Sequence, residues 1–320
     1  MRIVIIGGSG HIGTYLVPRL VQAGHEVINI SRQARKPYIA APQWAGVKSV
    51  AADRHAEDKT GAFPRRVADL KPDAVIDNIC FTPASAAALV EALRGKVRHF
   101  LLTGTAWVHG EAEVVPTPES ARRRPIGQYG ISKNAIEELL MAEAWRNGFP
   151  ATVVHPGHIV GPGWPCVNPQ GNFNLAVWQT IIDGGELTLP NMGLECLHHV
   201  HADDVAQVFQ KAIQNPSQSV GESFHAVSPG AVTLLGYARA AYEWFGREPR
   251  LKFAPAGELA KTIAPADAEQ TIEHISRSPC LSIEKGRRRL GYQPRYTSLE
   301  ACRECIEWLL ANGRLTTKQG

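Results

Sequence analysis

The chain begins Met1-Arg2-Ile3-Val4-Ile5-Ile6-Gly7-Gly8-Ser9-Gly10-His11-Ile12-Gly13, a short β-branched run that passes straight into glycines and then into an amphipathic stretch. Glycines at 7, 10 and 13, or equally at 8, 10 and 13, fall between a strand and a helix, the setting in which this pattern reads as a dinucleotide fingerprint. The early glycines allow a tight turn and a close approach of backbone to a pyrophosphate. Gly13 lets the helix pack on the sheet, and the helix amino terminus at His11 and Ile12 favours the anion.

Outward from this loop, the first 160 residues alternate β-branched runs with amphipathic stretches, as βαβ units do when they feed a parallel sheet. Strands are expected at 3–6, 26–30, 49–52, 74–77, 99–102 and 152–155, and helices at 12–23, 58–70, 84–94 and 128–147. The expected fold class is α/β: a Rossmann-type doubly wound parallel sheet with a smaller C-terminal substrate-binding lobe. Its dinucleotide-binding domain takes residues 1–160, with 197–228 returning to the core, and the lobe takes 161–196 and 229–320. Gly161-Pro162-Gly163-Trp164-Pro165 opens the lobe with a loop that runs to a helix near 173–183. A strand is expected at 223–227, and Thr297-Ser298-Leu299-Glu300 is a capping box that opens a helix reaching Leu310.

Eighteen residues past Gly13, at the end of the second strand, an NAD site usually carries an acidic residue for the ribose hydroxyl. Ser31-Arg32 stands there instead, with Arg35 and Lys36 close behind. A hydroxyl and a guanidinium suit a 2′-phosphate, so NADP is favoured over NAD. Asp53 is a candidate acceptor for the adenine amino group, and Asn78, Ile79 and Cys80 are expected to pass the cofactor mainly by backbone contacts.

In Tyr129-Gly130-Ile131-Ser132-Lys133 the tyrosine and lysine are four apart and share one helix face. A phenol titrating near 10 needs about 4 kcal/mol of preferential phenolate stabilisation to reach 7, which a neighbouring ammonium and an oxidised nicotinamide can supply together. The fifth strand ends in Leu102-Thr103-Gly104-Thr105-Ala106-Trp107-Val108-His109-Gly110. Thr105 is the first candidate there for polarising a substrate oxygen. Thr103 is the second and also lies on the cofactor's path.

The glycine loop, Thr105 with Gly110 five residues on, Tyr129 with Lys133, and His155-Pro156-Gly157-His158-Ile159-Val160-Gly161-Pro162-Gly163 together resemble the extended short-chain dehydrogenase/reductase superfamily, in its NAD-dependent epimerase/dehydratase family. Val200-His201-Ala202-Asp203-Asp204-Val205-Ala206 and the stretch from Lys285 to Tyr292 match later landmarks, so the likeness covers nearly the whole chain. The resemblance implies a catalytic triad of Thr105, Tyr129 and Lys133. It places Lys133 also on the nicotinamide ribose, the backbone around Pro156 and His158 on the carboxamide, and a homodimer contact on the helices near 84–94 and 128–147. Trp164, Asn168, Asn172 and Asn174 fall where members line the substrate pocket, His158 is a further substrate contact, and Arg277 a candidate for a phosphate.

Two departures narrow the expected activity. Ala106-Trp107 replaces the acidic pair that nucleotide-sugar dehydratases carry after the threonine, and Glu195 stands where nucleotide-sugar epimerases often place an arginine for the diphosphate. The expectation is therefore an NAD(P)-dependent oxidoreductase acting on a secondary alcohol or ketone of a carbohydrate-like small molecule. The alternatives are a sugar or nucleotide-sugar epimerase with retained NAD and, from another class, a non-catalytic cofactor-binding regulatory protein.

Composition excludes other classes. The formal charge is +4 with no basic block, which gives nucleic-acid binding no support. No run approaches the roughly 18–20 apolar residues of a membrane span. Six cysteines lack disulfide-framework spacing, which fits a reducing cytoplasm, and Cys302-x-x-Cys305 inside a helix reads as core packing. Of His198, His199 and His201, the last two share a strand face, but no acidic or cysteine partner has ligand spacing, so no metal is expected.

Overall fold

The computed structural model describes residues 1–33 and 36–317. Its first half is a run of strands and helices: β1 (Arg2–Ile6), α1 (His11–Gln22), β2 (Glu26–Ser31), β3 (Lys48–Ala51), α2 (Arg54–Asp58), α3 (Ala62–Asp69), β4 (Ala74–Asp77), α4 (Pro83–Leu93), β5 (His99–Thr103), α5 (Gly127–Asn147) and β6 (Ala151–Pro156). Next come β7 (His158–Val160), α6 (Leu175–Ile182), β8 (Leu187–Pro190), β9 (Cys196–Leu197), β10 (His199–His201), α7 (Ala202–Gln214), α8 (Pro216–Ser219) and β11 (Glu222–Ala226). The chain closes with β12 (Val232–Thr233), α9 (Leu234–Trp244), β13 (Leu251–Ala254), α10 (Ala256–Leu259), α11 (Pro265–Arg277), α12 (Glu284–Leu290) and α13 (Ser298–Ala311). Among the described residues, no helix is long and apolar enough to cross a membrane.

Seven strands form one parallel sheet in the order β11-β6-β5-β4-β1-β2-β3. The chain winds outward from β1 to β3, returns, and winds the other way from β4. The order therefore reverses between β1 and β4, which opens a crevice at their carboxyl ends, where ligands bind in such sheets. Side-chain alternation along β1 supplies both faces. Ile3 and Ile5 pack with Leu16, Val17 and Leu20 of α1 and Phe209 of α7, while Val4 and Ile6 pack with Phe63 of α3, Leu89 of α4 and Leu140 of α5. A third core joins α6, α9 and α13 around Trp178, Tyr237 and Leu309.

The loop after β1 depends on a missing side chain: a Cβ at Gly13 would lie 1.9 Å from the Gly8 carbonyl oxygen. Helix α1 is then tied to α7 by a two-pronged ion pair, Arg19 to Asp203 at 2.7 and 2.6 Å. Asp204 accepts from the amides of Arg295 and Tyr296 at 2.8 and 3.1 Å. The two aspartates of the 200–206 landmark thus fasten the sheet-covering helices to the last segment of the chain.

Two expected boundaries shift for local reasons. The stretch 58–70 is not one helix, because Asp53 caps α2, which ends at Asp58, and Gly61 at φ +66° starts α3 afresh. The lobe helix begins at Leu175 because the Asn174 side chain accepts from Ala176 N as its cap.

Burial also sets the acid stability. Desolvation holds His11 and His109 down to about 3, and His99, His198, His199 and His274 down to about 4. The unfolded chain takes up these protons near 6.5, so stability is fully present above that pH and lost as pH falls toward 4. Thermal midpoints recorded from pH 8 to pH 4 are expected to be flat above 7 and to fall steeply between 6.5 and 4. A flat profile would show that these imidazoles titrate normally.

Candidate active site

A cleft of about 760 Å³ runs over the carboxyl ends of the strands, from Ser31, Arg32 and Asp53 at one end to Trp164, Phe173 and His274 at the other. Gly7, Gly10, His11, Ile12 and Gly13 form its floor, and Asn78, Ile79, Thr103, Thr105, Tyr129, Lys133 and His158 line its middle.

Lys133 and Tyr129 project from the first turns of α5, one turn apart. Lys133 is 1% exposed, and its ammonium donates to the carbonyls of Cys80 at 2.8 Å and Thr103 at 2.7 Å. It stands 4.8 Å from the Phe81 ring centre and 5.8 Å from that of Tyr129. Burial lowers it to about 8, although Cys80 and Asp77 pull the other way. Tyr129 lies along the cleft wall, edge-on to Trp107 at 5.8 Å. Desolvation raises its phenol, and the neighbouring Thr105 hydroxyl draws it back. Thr105 Oγ1 accepts from the Trp107 amide at 3.3 Å, which leaves its own proton to donate.

His158 lines the cleft, and both of its ring nitrogens are buried without a protein partner. Burial, reinforced by His274 and His199, holds it well below the usual histidine range, so it is neutral and offers one donor and one acceptor. Trp164 reaches across from the lobe and stacks on His11 at 5.3 Å, with planes 12° apart.

The residues present fit a bound dinucleotide. The glycine floor has no room for side chains, Asn78 Nδ2 is buried with no protein partner beside the cleft, and two of the three Lys133 protons go to carbonyls, leaving one for a ribose hydroxyl. Arg32 sits at the cleft end beside Ser31; Arg35 lies outside the described residues. Asp53 also borders this end, where its carboxylate accepts from Ala56 N at 3.2 Å. Among the described residues, no group of histidines, cysteines and acids is arranged to hold a metal.

Several expected contacts are not on the cleft. Arg277 is 3% exposed, its guanidinium lies 3.8 Å over the Trp107 ring, and it donates to the Ile126 carbonyl at 2.6 Å, so it braces Trp107 from within and cannot meet a substrate phosphate. Asn172 is buried in the lobe turn, accepting from Asn168 at 2.6 Å and donating to Thr271 at 3.1 Å. Cys80 contributes its carbonyl to Lys133 while its thiol turns inward to the Thr82 carbonyl. Pro156 is covered as the last residue of β6, and Gly157 and His158 line the cleft in its place. His155 is fully buried behind Thr105, and Glu195 bonds to Asn191, away from the cleft. The lining also includes Phe81, Trp107, Val167, Phe173 and His274, which sequence reasoning passed over. Phe81 follows directly on the strand end that was read as cofactor-lining. His274 comes from α11 and has no local signal.

This fold and its glycine-floored cleft are of the extended short-chain dehydrogenase type. Residues 3–226 match the NAD dependent epimerase/dehydratase family, and the chain belongs to it. Similar proteins include 2'-dehydrokanamycin reductase of Streptomyces kanamyceticus, 36% identical over 46% of this chain and 40% of that protein, and UDP-glucose 4-epimerase of Streptomyces lividans, 30% identical over 50% of this chain and 53% of that protein. The matched stretches therefore span about half, or less, of these relatives' own length. Among solved structures, dTDP-glucose 4,6-dehydratase of Bacillus anthracis in complex with NAD superposes with a TM-score of 0.74, covering 98% of each chain at 16% identity, a likeness of fold.

Replacing Tyr129 with Phe is expected to cut turnover by about 10³-fold, within the span of a lost acid–base group, while dinucleotide affinity stays within about twofold. Steady-state rates beside a fluorescence titration check both halves. Undiminished turnover would remove Tyr129 from the chemistry.

Proposed function

We propose that the protein transfers hydride reversibly between a secondary alcohol or ketone of a carbohydrate-like small molecule and NADP(H) or NAD(H). The observation that carries this reading is the meeting of Thr105, Tyr129 and a buried Lys133 ammonium on one cleft. A bound nicotinamide supplies the hydride acceptor or donor. In the oxidising direction Tyr129 takes the hydroxyl proton, Thr105 donates a hydrogen bond to the same oxygen, and the Lys133 charge favours the phenolate. Trp107, Phe81 and Phe173 offer flat apolar faces to a ring, and His158 offers polar atoms to its hydroxyls. One relative is, by its name, a reductase acting on 2'-dehydrokanamycin, which is this reaction class.

Epimerisation of a sugar nucleotide with retained NAD is the second reading, favoured by relatives named UDP-glucose 4-epimerase. Against it stands the substrate half of the cleft, where, among the described residues, the lining around Trp107, Trp164 and His274 includes no arginine for a diphosphate and Arg277 is sequestered. NADP is favoured by Ser31-Arg32 at the end of β2, and two copies are proposed to pair through α4 and α5. Light scattering that finds only monomer at high concentration would remove the pairing.

Protein purified without added dinucleotide, then denatured and analysed by mass spectrometry, is expected to release none. The native protein is expected to bind NADPH about tenfold more tightly than NADH, a preference that Arg32→Ala removes. Stoichiometric NAD in the released fraction, with turnover of UDP-glucose, would establish the epimerase instead.

A further inference from the structure

We infer that His155 and Glu137 are a positioning pair that holds the Thr105 segment in its reactive place, a role that rests on Thr105 acting at the substrate oxygen as proposed above. Thr105 N–H donates to His155 Nδ1 at 3.1 Å, and His155 Nε2 lies 3.0 Å from Glu137 Oε1. An amide is only a donor, so Nδ1 must be the acceptor, the ring proton sits on Nε2, and that nitrogen donates to the carboxylate. The ring is fully buried and packs so closely that a Cβ at Gly104 would lie 2.5 Å from Nδ1. Any side chain at 104 would push the imidazole off the Thr105 amide.

Glu137 is itself held. Arg123 grips it with two bonds, at 3.1 and 2.8 Å. Burial pushes the Glu137 carboxyl up, but His155 and Arg123 outweigh that and keep it well below the usual carboxylate range. The far end of the same segment is fastened through the same arginine, since Arg123 Nη1 lies 3.2 Å from both Nδ1 and Nε2 of His109 and donates to the Glu119 carbonyl at 2.9 Å. His225 donates from Nδ1 to the Ser282 carbonyl at 3.0 Å, so its Nε2 must accept from His109 Nε2 at 2.8 Å. The turn carrying Thr105 is thus clamped at 105 and at 109 by two imidazoles whose proton positions are dictated by their partners. Glu137 lies one turn beyond Lys133, so the helix stripe that presents Tyr129 and Lys133 also anchors the clamp.

Two near-isosteric substitutions separate positioning from general stability. His155→Asn puts an amide oxygen where Nδ1 stands, keeping the Thr105 bond but falling short of Glu137. His155→Gln reaches Glu137 with its amide nitrogen and leaves the Thr105 amide without an acceptor. In the NADPH complex, deuterium exchange at the Thr105 amide is expected to stay near the parent rate in the Asn variant and to rise at least tenfold in the Gln variant. Thermal midpoints are expected to rank the other way, with Asn the less stable because Glu137 loses its partner. NADPH-dependent reduction of methyl 4-keto-glucopyranoside is expected to fall about 100-fold in the Gln variant and no more than about fivefold in the Asn variant, with KM for NADPH unchanged. Exchange that is no faster in the Gln variant than in the Asn variant overturns the pair, as does turnover that follows the thermal midpoint. Absence of Tyr129-dependent turnover in the parent would count against the oxidoreductase reading, and the exchange rates would still decide whether His155 holds Thr105.

Discussion

The site is organised around one buried ammonium. Lys133 spends two of its protons on the carbonyls of Cys80 and Thr103, which lie just past β4 and at the end of β5. Burying a lysine costs several kcal/mol unless its donors are met, and here two backbone acceptors with a phenyl ring beneath meet that demand. The bonds fix helix α5 against the ends of two neighbouring strands. Tyr129 is placed by that docking, and so are Thr105 and Asn78, which follow the same strands.

Much of this was legible before any coordinates. The glycine loop, the strands of the first half and the Tyr129–Lys133 spacing follow from local rules: period-two burial, conformations that need glycine, and the 3.6-residue helical turn. Thr105 was a candidate from its place at the end of the fifth strand and from the family resemblance, and it lines the cleft. Arg277 and Asn172 could not be placed, because whether an arginine meets a ligand or an indole depends on what tertiary packing brings beside it, here Trp107. The same holds for His274, delivered to the cleft by a helix more than a hundred residues past α5. The split near Gly61 was visible in principle, as a glycine able to take a left-handed conformation just before a new helix.

The two ends of the cleft differ in character. The glycine loop and the ends of β2 and β4 offer backbone amides, small side chains and Arg32, a setting suited to phosphates. Past Thr105 the lining turns aromatic, with neutral imidazoles held far below their ordinary titration range by burial. The family match over residues 3–226 takes in the first of these environments and all of the second except His274. The proposed reaction is set in the second, and its aromatic and imidazole composition is the better guide to the substrate.

Helix α5 runs unbroken for 21 residues, and Tyr129, Lys133 and Glu137 lie along it at intervals of four. The helix therefore acts as a ruler whose phase matters more than its composition. One residue inserted between 129 and 137 would rotate everything beyond it by about 100° and advance it by about 1.5 Å, so Tyr129, Lys133 and Glu137 could no longer share a face. What the geometry fixes is the number of residues between these marks.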